Sequence, residues 1–314
     1  MPETRRAFLT SAAALAAASR TPAAEAGAPL PTVRLGKHEV SRLVVGSNPF
    51  SGASHFNPIL DQLMREWMTP ERILEILKRC EQAGIRTWQL HNDPKLLDCL
   101  RQYRAEGGKM NCIILSDFKE PKQTLRELAK MGPIGIAHHG ERSDVLLRTR
   151  QMDAIPDFLK AARDAGLMAG ISTHNPAVID HVESKGWDPD FYMACVYRRS
   201  RTPEEVRAEF GEATVGEPYF EKDPERMCQM IRQTRKTCFA FKILAAGRAF
   251  KPPQTVEQAF RFVFENIKPQ DCVIVGPYPR FKDEITQNAQ LARRYGAKAC
   301  DSLPSRSFTR KPRR

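Results

Sequence analysis

TWQLHND (87–93), NCIILSD (111–117), PIGIAHHGE (133–141) and MAGISTHN (168–175) decide the fold. Each is a short apolar run that ends in residues able to do chemistry. Strands of about 4–8 residues, separated by helical patterns, predict βα units and a parallel sheet. In such sheets ligands gather at the carboxyl ends of the strands. Here those ends offer Gln89, His91, Asp93, Asp117, His138, His139 and His174. Four of the seven histidines in the chain therefore fall at strand ends.

Outward from these four runs the alternation continues. A hairpin over Val33–Val40 precedes a first strand at Leu43–Val45. Further strands are expected at Ile85–Leu90, Phe191–Val196, Cys238–Leu244 and Asp271–Val275. Helical stripes lie between them, the clearest opening at Pro70 and closing near Gly84, a C-cap glycine. Eight βα units with no Pro/Gly/Ser linker predict a single-domain (β/α)8 TIM barrel over residues 29–304. Segments 51–69 and 200–222 read as irregular insertions. GSNPFSG (46–52) is not followed by a helix and does not fit the phosphate loop of a doubly wound open sheet.

The formal charge of +12 resembles a nucleic-acid signal, but its placement argues otherwise. The first 26 residues carry +1 and the tail 306–314 carries +5, which leaves +6 spread along the body. A solvated basic surface is the reading, with no nucleic-acid partner and a disordered basic tail at 305–314. No apolar stretch approaches the ~20 residues of a membrane span. Arg5-Arg6 stands before Phe8, an Ala-rich run follows at 11–19, and Ala24-Glu25-Ala26 gives small residues at cleavage spacing. Residues 1–28 thus resemble a twin-arginine (Tat) export signal. Export implies a periplasmic or secreted protein and the Tat machinery as a partner. An oxidising compartment permits disulfides. Yet the eight cysteines show no CxxC, and Cys112, Cys195, Cys238 and Cys272 sit in apolar strand patterns as buried free thiols. A Cys80–Cys99 pair stays open.

The order of local phrases resembles the aldo-keto reductase superfamily. LGKHEVSRLVVGSNPFSG (35–52) is similar to that family's opening hairpin and first strand, and ILKRCEQAGIRTW (76–88) to its first helix and second strand. GIAHHG (135–140), GISTHNP (170–176), CVYRR (195–199), FKILAAGR (241–248) and VIVGPYPRFKDEITQN (273–288) follow in the family's order. The resemblance implies NADP as a cofactor. It places Ser172, Tyr197, Leu244, Gly247, Gly276 and Asn288 at cofactor-binding positions, with Thr173 where the family pairs an Asn with the Ser. The catalytic tetrad departs from the pattern. Gln89 stands at the Asp position, Pro94 at the Tyr and Asp117 at the Lys, and only the His survives, as His139 or, by a slip of one, His138. Proline cannot donate a proton, and aspartate brings the wrong charge.

The candidate catalytic residues are accordingly His139, His91, Asp117 and Gln89. Strand alternation puts Gln89 and His91 on one face. His91, Asp117, His139 and His174 could converge as ligands of a divalent metal. The other reading is a polar pocket that hydrogen-bonds a hydroxylated ligand. Lys242, read as lying within the seventh strand, could form a Schiff base or equally pair with Asp117 or Asp271. Arg198, Arg199 and Arg201 could bind a carboxylate or phosphate. The leading expectation is an oxidoreductase-like enzyme for a small polar carbonyl or sugar-like substrate. The alternatives are a metal-assisted hydrolase, lyase or isomerase, and a non-catalytic binding barrel. NADP is scarce outside the cytoplasm, so export asks for a tightly held cofactor or none.

Overall fold

The structure is a computed structural model and describes residues 28–116, 122–250 and 255–297. The export signal, Asp117, Cys300 and the basic tail lie outside the described residues, except that Ala28 is within them. An antiparallel hairpin, β1 (Thr32–Leu35) with β2 (His38–Ser41), comes first. Eight parallel strands then close into a barrel: β3 (Leu43–Gly46), β4 (Thr87–His91), β5 (Asn111–Ser116), β6 (Gly135–His138), β7 (Met168–Thr173), β8 (Phe191–Cys195), β9 (Thr237–Phe241) and β10 (Cys272–Val275). The ring shuts where Val273, Ile274 and Val275 pair with Leu43, Val44 and Val45. This is the single-domain TIM barrel expected from the sequence.

Period-2 alternation decides which side chains enter the barrel. Val44, Ile113, Leu115, Ala137, Phe191, Met193, Phe239 and Ile274 form an inner cluster, and Leu35 and Val40 of the hairpin join it from below. The hairpin therefore plugs the amino end. Phe191 and Phe239 meet edge to face, with centroids 5.6 Å apart. A Cβ on Gly170 would stand 2.3 Å from the Phe191 ring, so only glycine fits there. Trp88, Leu90, Cys112 and Ile114 belong to the outer layer under the helices. Each large side chain so buried contributes about 1.5–3 kcal/mol. With its floor filled, the barrel can take a ligand only at the carboxyl mouth.

The surrounding helices are α1 (Pro58–Trp67), α2 (Pro70–Gln82), α3 (Pro94–Ala105), α4 (Lys122–Ala129), α5 (Gly140–Arg148), α6 (Ala154–Asp164), α7 (Pro176–Ser184), α8 (Pro203–Phe210), α9 (Asp223–Gln233), α10 (Val256–Asn266) and α11 (Glu284–Gly296). Five of them start alike. Asn57, Thr69, Asp93, Asn175 and Thr202 each accept a backbone N–H of the first turn, and each precedes a proline at the first helical position. Asp93 is thereby a helix cap. Pro94, standing where the resemblance places the acid tyrosine, opens α3.

Three local expectations are corrected. The segments 51–69 and 200–222 hold α1 and α8, the latter with a reciprocal Thr202–Glu205 capping box. The polar run GERSDVLLR forms α5 immediately after β6, with no side-chain cap to announce it. Lys242 is not within a strand: β9 ends at Phe241, and Lys242 has φ +59°. The seven described cysteines are free and buried, Cys80 and Cys99 among them. No helix of the described residues is long and apolar enough to cross a membrane.

Arg201 anchors the 200–222 excursion. Its side chain is 1% exposed and grips Asp223 with both terminal nitrogens, at 2.7 and 2.8 Å. Its Nε donates to Glu209 at 3.0 Å, and its guanidinium lies over Phe210 and Phe220. Breaking a buried pair from one side typically costs about 3–5 kcal/mol. Asp223→Ala should lower the urea midpoint accordingly and make 203–222 the first site of proteolysis. An unchanged midpoint would contradict this anchoring role.

Candidate active site

The carboxyl ends of the strands bring chemistry together at the mouth. Ser47 follows β3, His91 ends β4, His139 follows β6, His174 follows β7, Arg199 lies beyond β8, and Lys242 follows β9. Gln89 sits one step below His91 on the inward face, while Trp88 and Leu90 point outward. Its Nε2 is buried and has no hydrogen-bond partner among the described residues. The adjacent histidines separate as their positions require. His138 turns outward, bonding Ser143 Oγ at 2.6 Å and packing on Phe158, whereas His139 begins α5 at the mouth.

His91 Nδ1 and Ser47 Oγ are 2.8 Å apart. Burial, with the Lys242 charge and the neighbouring His139 and His55 rings adding to it, pushes His91 down to about 3, so the ring is neutral at physiological pH. His174 is neutral as well. Its Nδ1 lies 2.9 Å from Asp144 Oδ2, and its Nε2 lies 3.2 Å from Arg199 Nε. A guanidinium nitrogen can only donate, so Nε2 accepts and the ring proton sits on Nδ1, directed at Asp144. Burial outweighs the Asp144 hydrogen bond and charge, and His174 falls to about 4.

A polar chain continues from His174 across the mouth. Arg199 Nη1 donates to Glu217 Oε1 at 2.7 Å, and His55 Nδ1 bonds the same oxygen at 2.8 Å. Burial works against the Glu217 carboxylate. The His55 hydrogen bond and the Arg199 charge nevertheless hold it at about 2. Arg248 donates to the His55 carbonyl at 2.7 Å and covers the rings of Tyr219 and Phe56. The two insertions, carrying His55 and Glu217, thus meet over the barrel.

Lys242 stands under this bridge. Its backbone is in the left-handed region, which costs a non-glycine residue on the order of 1 kcal/mol. Its carbonyl accepts the Ala245 N–H at 2.9 Å, closing a turn. Nζ lies 5.5 Å from the Phe241 ring, which in turn meets the His174 ring edge to face at 5.6 Å. Among the described residues the amine has no hydrogen bond or ion pair. Burial, with the nearby Arg199 charge, lowers it to about 8.

Among the described residues no three His, Cys, Asp or Glu side chains are placed to hold an ion. Both ring nitrogens of His174 are engaged, and Asp117 lies outside the described residues. The positions implied for NADP are spread through the barrel wall, the loops and the outer layer. Tyr197 has its ring 5.1 Å from Tyr219 rather than open. A Cβ on Gly276 would stand 2.5 Å from Pro49, so that glycine serves packing against the β3 loop. Asn288 is buried among Leu43, Val45, Cys80 and Ile285, in the layer between barrel and helices. Ser172 is buried in the wall beside Gly140. Leu244 packs on the outer core, and Gly247 occupies the turn after β9 at φ +83°. Sequence reasoning missed His55, Ser47, Asp144, Glu217 and Arg248. The two insertions hold His55 and Glu217, and the unannounced α5 holds Asp144. Arg201, read as an anion binder, is the anchor described above, and Arg198 pairs with Glu205 at 2.6 Å.

No protein-family profile matches the sequence, and no curated protein does. Solved structures share the barrel. Gox0644 in its apo form aligns with a TM-score of 0.50 at 11% identity, over 87% of this chain and 98% of its own. The aldo-keto reductase AKR11C1 of Bacillus halodurans, in its holo form, gives 0.48 at 13% identity over 88% and 99%. A truncated 3-deoxy-D-arabino-heptulosonate 7-phosphate synthase of Thermotoga maritima gives 0.49 at 12% over 85% and 91%. The likeness is one of fold.

Proposed function

We propose that the chain is an exported enzyme that acts at the carbonyl of a small polar, sugar-like substrate, on an aldo-keto-reductase-like barrel with a remodelled site. The Tat machinery would deliver it to the periplasm or beyond, and its partners are otherwise small molecules. The observation that carries this reading is Gln89 Nε2. A buried donor without a partner, on the inward face below neutral His91, calls for an acceptor oxygen from a ligand. Carbonyl and hydroxyl oxygens suit it. The mouth supports proton movement next to a carbonyl better than hydride transfer. Reduction with NADP, expected from the resemblance, needs an acid near neutrality, and burial pushes the Tyr197 phenol up to about 12.

The test is NMR in D2O with glycolaldehyde, dihydroxyacetone and glyceraldehyde. Protein-dependent loss of C–H signal beside the carbonyl is expected. NADPH-dependent reduction without exchange would replace this reading with the reductase one. Export has its own test. Arg5→Lys with Arg6→Lys should trap precursor in the cytoplasm, and normal appearance of mature protein outside it would sink the Tat assignment.

A further inference from the structure

Among the described residues, the groove between α6 and Trp187, the exposed apolar edge of α1 and the amine at the mouth stand outside the contacts described above. Nothing shows what would cover the first two. The third carries an inference.

We propose that Lys242 is a covalent catalytic residue, its Nζ condensing with the carbonyl carbon of a small hydroxy-aldehyde or hydroxy-ketone seated on Gln89. This rests on reading the mouth as a carbonyl site. Four observations converge. Lys242 follows a barrel strand at the ligand end. A strained left-handed backbone holds it there, and such strain persists where the surroundings over-determine it. Its amine has no ion partner among the described residues, although Glu217 is near enough to act on it and is itself tied to Arg199 and His55. Neutral imidazoles surround it: His91, His174 and His55 all feel its charge. A nearby cationic group and desolvation are the means by which lysines become nucleophiles.

The step balances. The Lys242 ammonium first releases one proton to solvent water. The free nitrogen lone pair then forms the C–N bond as the C=O π pair moves to oxygen. That oxygen collects one proton from solvent water and a second one from nitrogen. It leaves as water, and the nitrogen lone pair closes the C=N bond as an iminium. Ammonium and carbonyl give iminium and water, with no other reagent. The iminium withdraws electrons from the adjacent carbon, and a neutral imidazole can take its proton. His91 and His139 face the mouth for that role.

The experiment is reductive trapping. Full-length mature protein is incubated with glycolaldehyde and sodium borohydride, then mapped by peptide mass spectrometry. The expected result is one reduced adduct, on Lys242, with tenfold or more slower labelling of every surface lysine. Trapping should speed up as pH rises through about 8. Lys242→Arg should remove the adduct while leaving the folded circular-dichroism spectrum intact. Where that variant does not fold, the wild-type map alone decides. Exchange in D2O without a Lys242 adduct would overturn this inference and leave the carbonyl reading standing. A Lys242 adduct without any exchange would uphold the covalent step and overturn the proton movement proposed beside the carbonyl. Adducts spread over surface lysines alone would overturn the inference outright.

Discussion

Lys242→Met will abolish turnover of the hydroxy-carbonyl substrate and will make the protein more stable. Loss of a covalent nucleophile costs about 10⁴-fold or more in kcat, because no other group forms the same bond. The stability change runs the other way. The amine is held near 8 in the fold against 10.5 in the open chain. The unfolded state therefore binds more protons between those values, and wild-type stability rises with pH across that window. Below pH 8 the burial penalty is present in full. Methionine keeps the length of the stem and the strained backbone but removes the charge. The gain at pH 7 should be on the order of 1 kcal/mol, shrinking toward pH 10.5, since active-site groups are commonly held at the expense of stability. Urea unfolding at pH 7 and pH 10 reads both halves. A destabilised variant at pH 7 would mean that the amine has a partner that holds it.

The second large effect is acid lability. His91 and His174 are neutral in the fold, near 3 and 4, and titrate near 6.5 when unfolded. As pH falls below 6.5 the unfolded chain takes up protons that the fold refuses. Stability present above 6.5 is therefore lost progressively toward pH 4 and, for His91, toward pH 3. Each group bounds the slope at about 1.4 kcal/mol per pH unit, so the two together amount to several kcal/mol. Urea midpoints at pH 7, 5.5 and 4.5 should drop steeply, and His91→Gln should flatten the profile by about half. A flat wild-type profile would mean that these imidazoles reach solvent.

Much of this molecule was legible from its residues. Apolar runs of fixed length with helical stripes between them leave a closed parallel barrel as the simplest packing. Strand alternation then sent Gln89 and His91 inward and Trp88 outward. Asp93, offered by the sequence as a strand-end residue, is instead the cap of a helix that opens at Pro94, the position of the resembling family's tyrosine. The rest depended on long-range partners. His55 and Glu217 are 162 residues apart and meet only over the closed mouth. Asp144 sits on α5, which begins with no cap and little apolar periodicity, so nothing local marks it as the partner of His174. Lys242 was visible only as a lysine within a strand pattern. Its place after the strand, its left-handed backbone and its lack of an ion pair among the described residues are properties of the folded mouth.

The central claim is that this mouth presents an amine with no ion partner among the described residues and a lowered proton affinity. Competitive labelling with trace acetic anhydride across pH 6–11, read by peptide mass spectrometry, measures that directly. Lys242 should label with a midpoint near 8. A Lys242 midpoint near 10.5, together with that of the surface lysines, would contradict the account.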